Sequence, residues 1–187
     1  MKSSTRTGPC RRIRDTNWRR AGAIAVLGSA SLFGLFVITG VAGIRINTTP
    51  SLPIGLYVES DPQSRLIEFC PSGVPAAISV RRGYRGSGDC PDGASPLLKP
   101  IVAQFGDLVE FSAGGISVNN HFLRNTAPLS VDTERRPLEH FPFGRYVVSA
   151  DEVWVASSYN KRSFDSRYYG PVPKIRIRDH LRPLLTF

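Results

Sequence analysis

The hydrophobic and polar positions of the sequence follow different patterns on the two sides of residue 45. Residues 21–44 form one apolar run that contains no charged side chain. After it come short runs rich in apolar and β-branched residues, bounded by Gly, Pro, Asn, Asp and Ser, a pattern typical of β-strands. These runs are GLYVES (55–60), RLIEFC (65–70), PLLKPIVAQ (96–104), GDLVEFS (106–112), GISVN (115–119), RYVVS (145–149) and EVWVASS (152–158). The pattern predicts a compact, mostly-β domain over residues 45–187.

Two segments between the predicted strands lack a regular pattern. Residues 72–96 are rich in glycine and proline, so we expect a long surface excursion with one helical turn near residues 74–82. Residues 125–144 form a second irregular segment. No helix outside residues 21–44 has convincing 3.6-residue periodicity, which agrees with a mostly-β domain.

The apolar run at residues 21–44 is long enough to cross a membrane. As a helix, its 24 residues reach roughly 36 Å, and a bilayer's hydrocarbon core is about 30 Å thick. A cleaved signal peptide is the alternative, because VAG at 41–43 offers small residues for cleavage, although the apolar region of such peptides usually runs only about 7–15 residues. We therefore expect one N-terminal transmembrane helix that remains uncleaved.

The charges at the start of the chain predict how that helix is oriented. Residues 1–20 hold seven basic side chains and one acidic one, and the positive-inside rule keeps such a segment in the cytoplasm. We expect a single-pass protein of the bacterial inner membrane, with a basic cytoplasmic tail (1–20), an anchor (21–44) and a periplasmic domain (45–187). The tail supplies +6 of the net charge of +9, which indicates contact with lipid rather than nucleic acid.

The three cysteines divide in the same way. Cys10 falls on the reducing side of the membrane, whereas Cys70 and Cys90 fall in a compartment that permits disulfides. We expect a bridge between these two, with a pair of free thiols as the alternative. The sequence contains no CxxC or HExxH motif, and its histidines are scattered, so no metal and no cofactor are expected.

Lys99 interrupts an apolar run, PLLKPIVAQF, whose other members belong in a core. A buried ammonium is costly, so such a lysine finds a partner or gives up its proton, and a neutral amine beside a hydroxyl is a competent general base. The alternative is a lysine on an edge strand that reaches water. Pro100 cannot donate to a sheet and favours such an edge, so the lysine taken alone favours the alternative.

Three segments in order resemble the sequence boxes of the type I signal peptidases. TTPSLPIGLY (48–57) resembles the nucleophile box, LKPIVAQFGDLV (98–109) the lysine box, and RSFDSRYYGPVP (162–173) the last box. The last of these is similar to the form seen in the conjugation-type TraF branch. One departure is SSYN at residues 157–160, where the housekeeping enzymes have GDN.

The resemblance implies a role for each matching residue. Ser51 is the nucleophile and Lys99 its general base, and the oxyanion is held by the N–H of Ser51 and the hydroxyl of Thr49. Asp165 and Arg167 support the surroundings of the lysine. Since residues two apart share a face of a strand, this acid and base are expected to pair. Ser163 matches a hydroxyl near the lysine amine, and the apolar side chains of Leu52 and Ile54 are expected to line shallow substrate pockets.

The resemblance also implies a function. It predicts a membrane-anchored serine endopeptidase that removes leader peptides from exported precursors with small residues before the cut, most specifically the maturation of a conjugative pilin by cleavage or cyclisation. One rival is a Ser-His-Asp triad using His121, His140 or His180. The other is a membrane-anchored assembly factor of a conjugation or secretion apparatus with no catalytic role.

Overall fold

The structure, a computed structural model, describes residues 21–26 and 43–187. Residues 21–26 are helical and exposed, and Gly43–Phe187 form a separate compact unit. The basic tail, Cys10 and most of the predicted anchor lie outside the described residues. Within the described part, no helix has the length and apolar character needed to cross a bilayer.

The unit Gly43–Phe187 is built mainly from β-strands, so the mostly-β prediction is confirmed. Every run singled out in the sequence contains a strand, and four further strands were not predicted. One helix lies where a single helical turn was expected, near residues 74–82, and the other was not predicted. The helices are α1 (Gly73–Arg81), α2 (Ser166–Tyr169) and a 3-10 turn (Lys174–Arg176). The strands are β1 (Ile44–Asn47), β2 (Gly55–Glu59), β3 (Leu66–Phe69), β4 (Leu97–Ala103), β5 (Leu108–Ser112), β6 (Gly115–Val118), β7 (His121–Leu123), β8 (Gly144–Val147), β9 (Glu152–Val155), β10 (Val172–Pro173) and β11 (Ile177–Thr186).

The strands form two antiparallel sheets. The larger has the order β1-β2-β11-β3-β4-β9-β10, and the smaller has the order β7-β6-β5-β8. One core cluster packs on the larger sheet around Ile67, Phe69 and Ile101, and a second, around Trp154 and Phe111, includes residues of both sheets. β4 contributes to both clusters, with Leu97 and Ile101 in the first and Ala103 in the second.

β11 is the largest difference from the sequence prediction. It pairs with β2 on one side and with β3 on the other, and thereby joins β1 and β2 to the rest of the larger sheet. Its sequence, IRDHLRPLLT, contains Pro183, and only Leu181 within it is buried. Its charged residues and its proline give no strand pattern in the sequence. The segment is a strand because it pairs with two neighbouring strands, and not because its own apolar residues alternate.

The glycine-rich excursion is more ordered than the sequence predicts. α1 covers nine residues rather than one helical turn, and the Cys70–Cys90 disulfide closes the excursion, with the two Cα atoms 5.6 Å apart. The buried guanidinium of Arg85 donates to both carboxylate oxygens of Asp92 and to the carbonyl of Ser95. The bridge and this buried arginine fix the excursion where apolar packing is sparse.

Candidate active site

Ser51 lies in a loop between β1 and β2 in which side chains bind the backbone carbonyls of five consecutive residues, Thr49 to Pro53. At the end of β1, the side-chain amide of Asn47 donates to the carbonyls of Thr49 (3.0 Å), Leu52 (3.3 Å) and Pro53 (3.0 Å). The Tyr57 hydroxyl also donates to the Pro53 carbonyl, at 2.7 Å. Asn47 is 6% exposed, so its hydrogen bonds are shielded from water and hold the loop firmly.

The carbonyls of Pro50 and Ser51 are bound from a distant part of the chain. Asn160 Nδ2 donates to the carbonyl of Pro50 at 2.9 Å, and Ser157 Oγ donates to the carbonyl of Ser51. Both donors belong to SSYN, the segment in which the sequence departs from the housekeeping pattern. Pro50 and Pro53 have no N–H and cannot donate to carbonyls of the loop. Side chains supply the donors that backbone N–H groups would otherwise provide.

Gly55 allows this loop to rejoin the sheet. Its φ is 154°, and a Cβ atom at this position would overlap the backbone of Leu185 in β11. The glycine therefore permits a close approach between β2 and β11 directly after the Ser51 loop.

Lys99 lies inside the larger sheet, which contradicts the edge-strand alternative. β4 is paired with β3 on one side and with β9 on the other, and Lys99 stands opposite Ile67. The lysine is 4% exposed and shares its face of the strand with Leu97 and Ile101. Pro100 is tolerated in this interior strand even though it cannot donate, and its carbonyl accepts from the N–H of Ala156 at 3.2 Å.

The amine of Lys99 reaches the hydroxyl of Ser51. Nζ donates to Ser51 Oγ at 2.9 Å and to the carbonyl of Leu98 at 3.0 Å. Burial lowers the pKa of Lys99 from 10.5 to about 8, against the charge of Asp165, which raises it, while the charge of Arg167 lowers it further. A lysine of this pKa has an appreciable neutral fraction at neutral pH, so the pair has the geometry and the acidity of a nucleophile and its base.

Thr49 stands beside Ser51, but its hydroxyl is already engaged. The two side-chain oxygens are 3.2 Å apart. Thr49 Oγ1 also donates to Asn47 Oδ1 at 2.8 Å, and Oδ1 accepts the N–H of Thr49 as well. A hydroxyl carries a single proton, so Thr49 has to turn away from Asn47 before it can donate to an oxyanion.

Asp165 and Arg167 form a fully buried ion pair, as expected, but not on a strand. Asp165 is the N-cap of α2 and Arg167 lies within this helix. Nε and Nη2 of the arginine donate to the two carboxylate oxygens at 2.7 and 2.8 Å. The remaining guanidinium N–H groups donate to the carbonyls of Asn125, Lys161 and Ser163. The strand prediction failed because a capping aspartate two residues before an arginine gives the same pairing in a helical turn.

The pair is also connected to the segment that holds the Ser51 loop. Asp165 Oδ2 accepts the N–H of Ser157 at 3.0 Å, and Ser157 Oγ binds the carbonyl of Ser51. The charges of both members act on Lys99. Asp165 and Arg167 thus support both halves of the site.

Ser163 and the histidines have different relations to the site. Ser163 lines the same groove as Ser51 and Lys99, and its hydroxyl is buried without a hydrogen-bond partner among the described residues.

The histidines, all three in the described part, do not line the groove. His140 and His180 instead face the carbonyls of Phe141 and Ser64. The geometry gives no support to a Ser-His-Asp triad.

Ser51 and Lys99 open onto a groove of about 590 Å³. Its wall includes parts of the disulfide-closed excursion and of the irregular segment 125–144, which are joined where the Tyr84 hydroxyl donates to Asp132 Oδ2 at 2.6 Å. Leu52 and Ile54 do not line it, contrary to the prediction. Its apolar lining residues include Ile46, Leu97, Leu98, Leu129, Val131, Leu138 and Phe164.

Sequence reasoning missed the residues that hold the loop: Asn47, Ser157 and Asn160. Asn47 gives no motif, because an asparagine before a turn is ordinary. The SSYN segment did carry a signal, since it replaces a motif of the related enzymes next to the last box. Only the fold shows that it reaches the Ser51 loop, 106 to 110 residues away.

The sequence was compared with those of known protein families and proteins. Residues 16–182 match the family described as signal peptidase, peptidase S26. The chain is 33% identical over 174 residues to a plasmid transfer protein TraF of Escherichia coli, covering 90% of this chain and 97% of that protein. It is 35% identical over 185 residues to a probable conjugal transfer protein TraF of Sinorhizobium fredii, covering 94% and 96%. A conjugal transfer protein TraF of Agrobacterium fabrum is 34% identical over 168 residues, covering 87% of this chain and 90% of that one.

A solved structure is also similar. The crystal structure of a signal peptidase I from Enterococcus faecalis matches with 17% identity and a TM-score of 0.36, covering 66% of this chain and 99% of that one.

Proposed function

The chain belongs to the signal peptidase family, peptidase S26, and from this premise we propose that it is a serine endopeptidase with a Ser51–Lys99 dyad. The observation that carries the proposal is the 2.9 Å contact between Lys99 Nζ and Ser51 Oγ in a buried position. The family acts on exported precursor proteins, so the substrate is a precursor segment that lies in the groove beside Ser51.

The reaction is acyl transfer. The neutral amine of Lys99 accepts the proton of Ser51, and Oγ attacks the scissile carbonyl to form a tetrahedral intermediate. The N–H of Ser51 donates to the oxyanion, joined by the Thr49 hydroxyl once it leaves Asn47. The ammonium of Lys99 returns its proton to the leaving amine, and an acyl-enzyme remains. Lys99 then activates water, or a substrate amine in a cyclisation, to release the product.

We propose a conjugative pilin precursor as the substrate. The relatives described above are named as plasmid or conjugal transfer proteins, which supports a place in conjugation for this chain as well. The proposal includes a single anchor in the bacterial inner membrane, with the catalytic unit on the periplasmic side. The anchor is placed within residues 21–42 rather than 21–44, because Gly43 and Ile44 belong to the β unit. Such a placement brings Ser51 close to membrane-tethered precursors, because β1 begins at Ile44.

Processing of a precursor peptide by the detergent-solubilised full-length protein tests the proposal. Ser51→Ala and Lys99→Ala are each expected to abolish product, because loss of one member of such a pair costs nearly as much as loss of both. Ser95→Ala, a serine in the same groove, and Lys174→Ala, an exposed lysine, are the matched controls. Full activity in Lys99→Ala would refute the dyad. Support of conjugation by the Ser51→Ala protein would instead favour the non-catalytic assembly factor.

A further inference from the structure

We infer that Asn160 is a positioning residue that fixes and polarises the peptide group whose N–H binds the oxyanion. This inference rests on the proposed peptidase function. Asn160 Nδ2 donates to the carbonyl of Pro50 at 2.9 Å. That carbonyl and the N–H of Ser51 belong to the same peptide group. The Asn160 side chain therefore binds the oxygen of the group whose N–H is the oxyanion donor.

Geometry is the first part of the effect. The peptide group is planar, and the structure contains no cis peptide bond among the described residues. Fixing the direction of the Pro50 carbonyl therefore fixes the opposite direction of the Ser51 N–H. An oxyanion donor is effective when it is oriented before the charge develops. Asn160 holds the carbonyl of Pro50, which precedes the Ser51 N–H along the chain, and Ser157 holds the carbonyl of Ser51, which follows it.

Polarisation is the second part. A hydrogen bond to a peptide carbonyl draws electron density from nitrogen to oxygen and makes the N–H a stronger donor, by about 10–30% per bond in condensed-phase estimates. Asn160 is oriented for this contact, because its Oδ1 accepts the N–H of Arg162 at 2.8 Å and so leaves Nδ2 facing the loop. A chain of bonds thus runs from the segment 157–162 through the Pro50–Ser51 peptide to the site of the reaction.

Kinetics distinguish this role from simple binding, because Asn160 also lines the groove. Asn160→Ala and Asn160→Asp are expected to lower kcat about 10-fold, less than the roughly 10²–10³-fold that loss of an oxyanion donor itself costs. KM is expected to stay within about twofold. Affinity for a peptide aldehyde, which forms a tetrahedral adduct with Ser51, should fall by the same factor as kcat. A raised KM with unchanged kcat would overturn the inference, since Asn160 would then only contact substrate.

Asn125→Asp is the matched control. Asn125 Nδ2 donates to the carbonyl of Ser158, so it supports the same segment without reaching the Ser51 loop. Its φ of 60° is tolerated by aspartate. Asn160→Asp removes the same kind of donor and adds the same charge, while keeping the acceptor for Arg162. Equal losses of kcat in both variants would trace the effect to the segment's stability and overturn the inference.

A spectroscopic test needs no turnover. In protein labelled with ¹⁵N-serine and ¹³C′-proline, only the pairs Pro50–Ser51 and Pro71–Ser72 give correlated signals. Asn160→Ala is expected to move the Ser51 amide nitrogen and proton signals upfield and to leave Ser72 unchanged, which also reports that the fold is intact. An unmoved Ser51 signal would refute the inference, even if the Ser51→Ala variant had established the peptidase activity. A moved signal would support the inference, even if no processed substrate had been found.

Discussion

Replacement of Lys99 by methionine is expected to stabilise the folded protein near neutral pH and to lose this advantage in alkali. Burial lowers the pKa of Lys99 from 10.5 to about 8. In the unfolded chain the amine regains its ordinary pKa, so between about pH 8 and pH 10.5 the unfolded state binds more protons than the folded state. The stability of the wild-type protein therefore rises with pH through this window.

The size of the effect follows from the two pKa values. At about 1.4 kcal/mol for each tenfold change in acidity, the buried ammonium costs the fold about 3 kcal/mol below pH 8. Methionine fills a similar volume and carries no charge, so it avoids this cost. It also loses the hydrogen bonds of Nζ to Ser51 and Leu98, each worth about 1 kcal/mol at every pH. The variant is thus the more stable protein at pH 7 and the less stable one at pH 10.5.

Urea unfolding of both proteins from pH 7 to pH 10.5, with the disulfide intact, measures the difference. Tryptophan fluorescence is a suitable signal because Trp154 is fully buried. Ionisation of groups common to both proteins cancels in the comparison. Lys174→Met, at an exposed lysine, is the control and should show no pH-dependent difference. A difference that stays constant to within about 0.5 kcal/mol, the usual scatter of surface substitutions, would refute the depressed pKa of Lys99.

Three further outcomes are expected. The rate of peptide processing should rise with pH through about 8, because only neutral Lys99 accepts the serine proton; a plateau already reached at pH 6 would contradict this. Asp165→Asn should destabilise the fold by about 3–5 kcal/mol in urea unfolding, because Arg167 would keep an uncompensated buried charge, and adding Arg167→Met should recover part of the loss. Thiol labelling of unreduced, denatured protein should modify Cys10 only, whereas three labelled thiols would contradict the bridge.

The sequence predicted the strands whose own residues carry an apolar alternation. β2 and β5 are examples, since buried and less buried residues alternate along each of them. β11 was missed because its conformation comes from two neighbouring strands and not from its own pattern, in which Pro183 argues against a strand. Tertiary context overrides local preference at such positions.

Some residues of the site could likewise be predicted from the sequence and others could not. Ser51 and Lys99 were predicted because the boxes around them are distinctive, although the pattern around Lys99 alone favoured an exposed edge. Asn47 and Asn160 were not predicted, because single polar residues in turn-like sequence carry no signature. Asn160 contacts the loop only when segments 110 residues apart meet, whereas Asn47 binds carbonyls two to six residues away.

The central place of β11 has a consequence for the order in which the parts of the fold are synthesised. Hydrogen-bonded continuity between the hairpin that carries Ser51 and the strand that carries Lys99 runs through β11, and β11 is synthesised after all the other described strands. A nascent chain that has emerged only as far as β10 contains both Ser51 and Lys99 but lacks the strand that joins β2 to β3 in the sheet. Completion of the larger sheet between Ser51 and Lys99 thus waits for pairing of segments far apart in the sequence, which is slow.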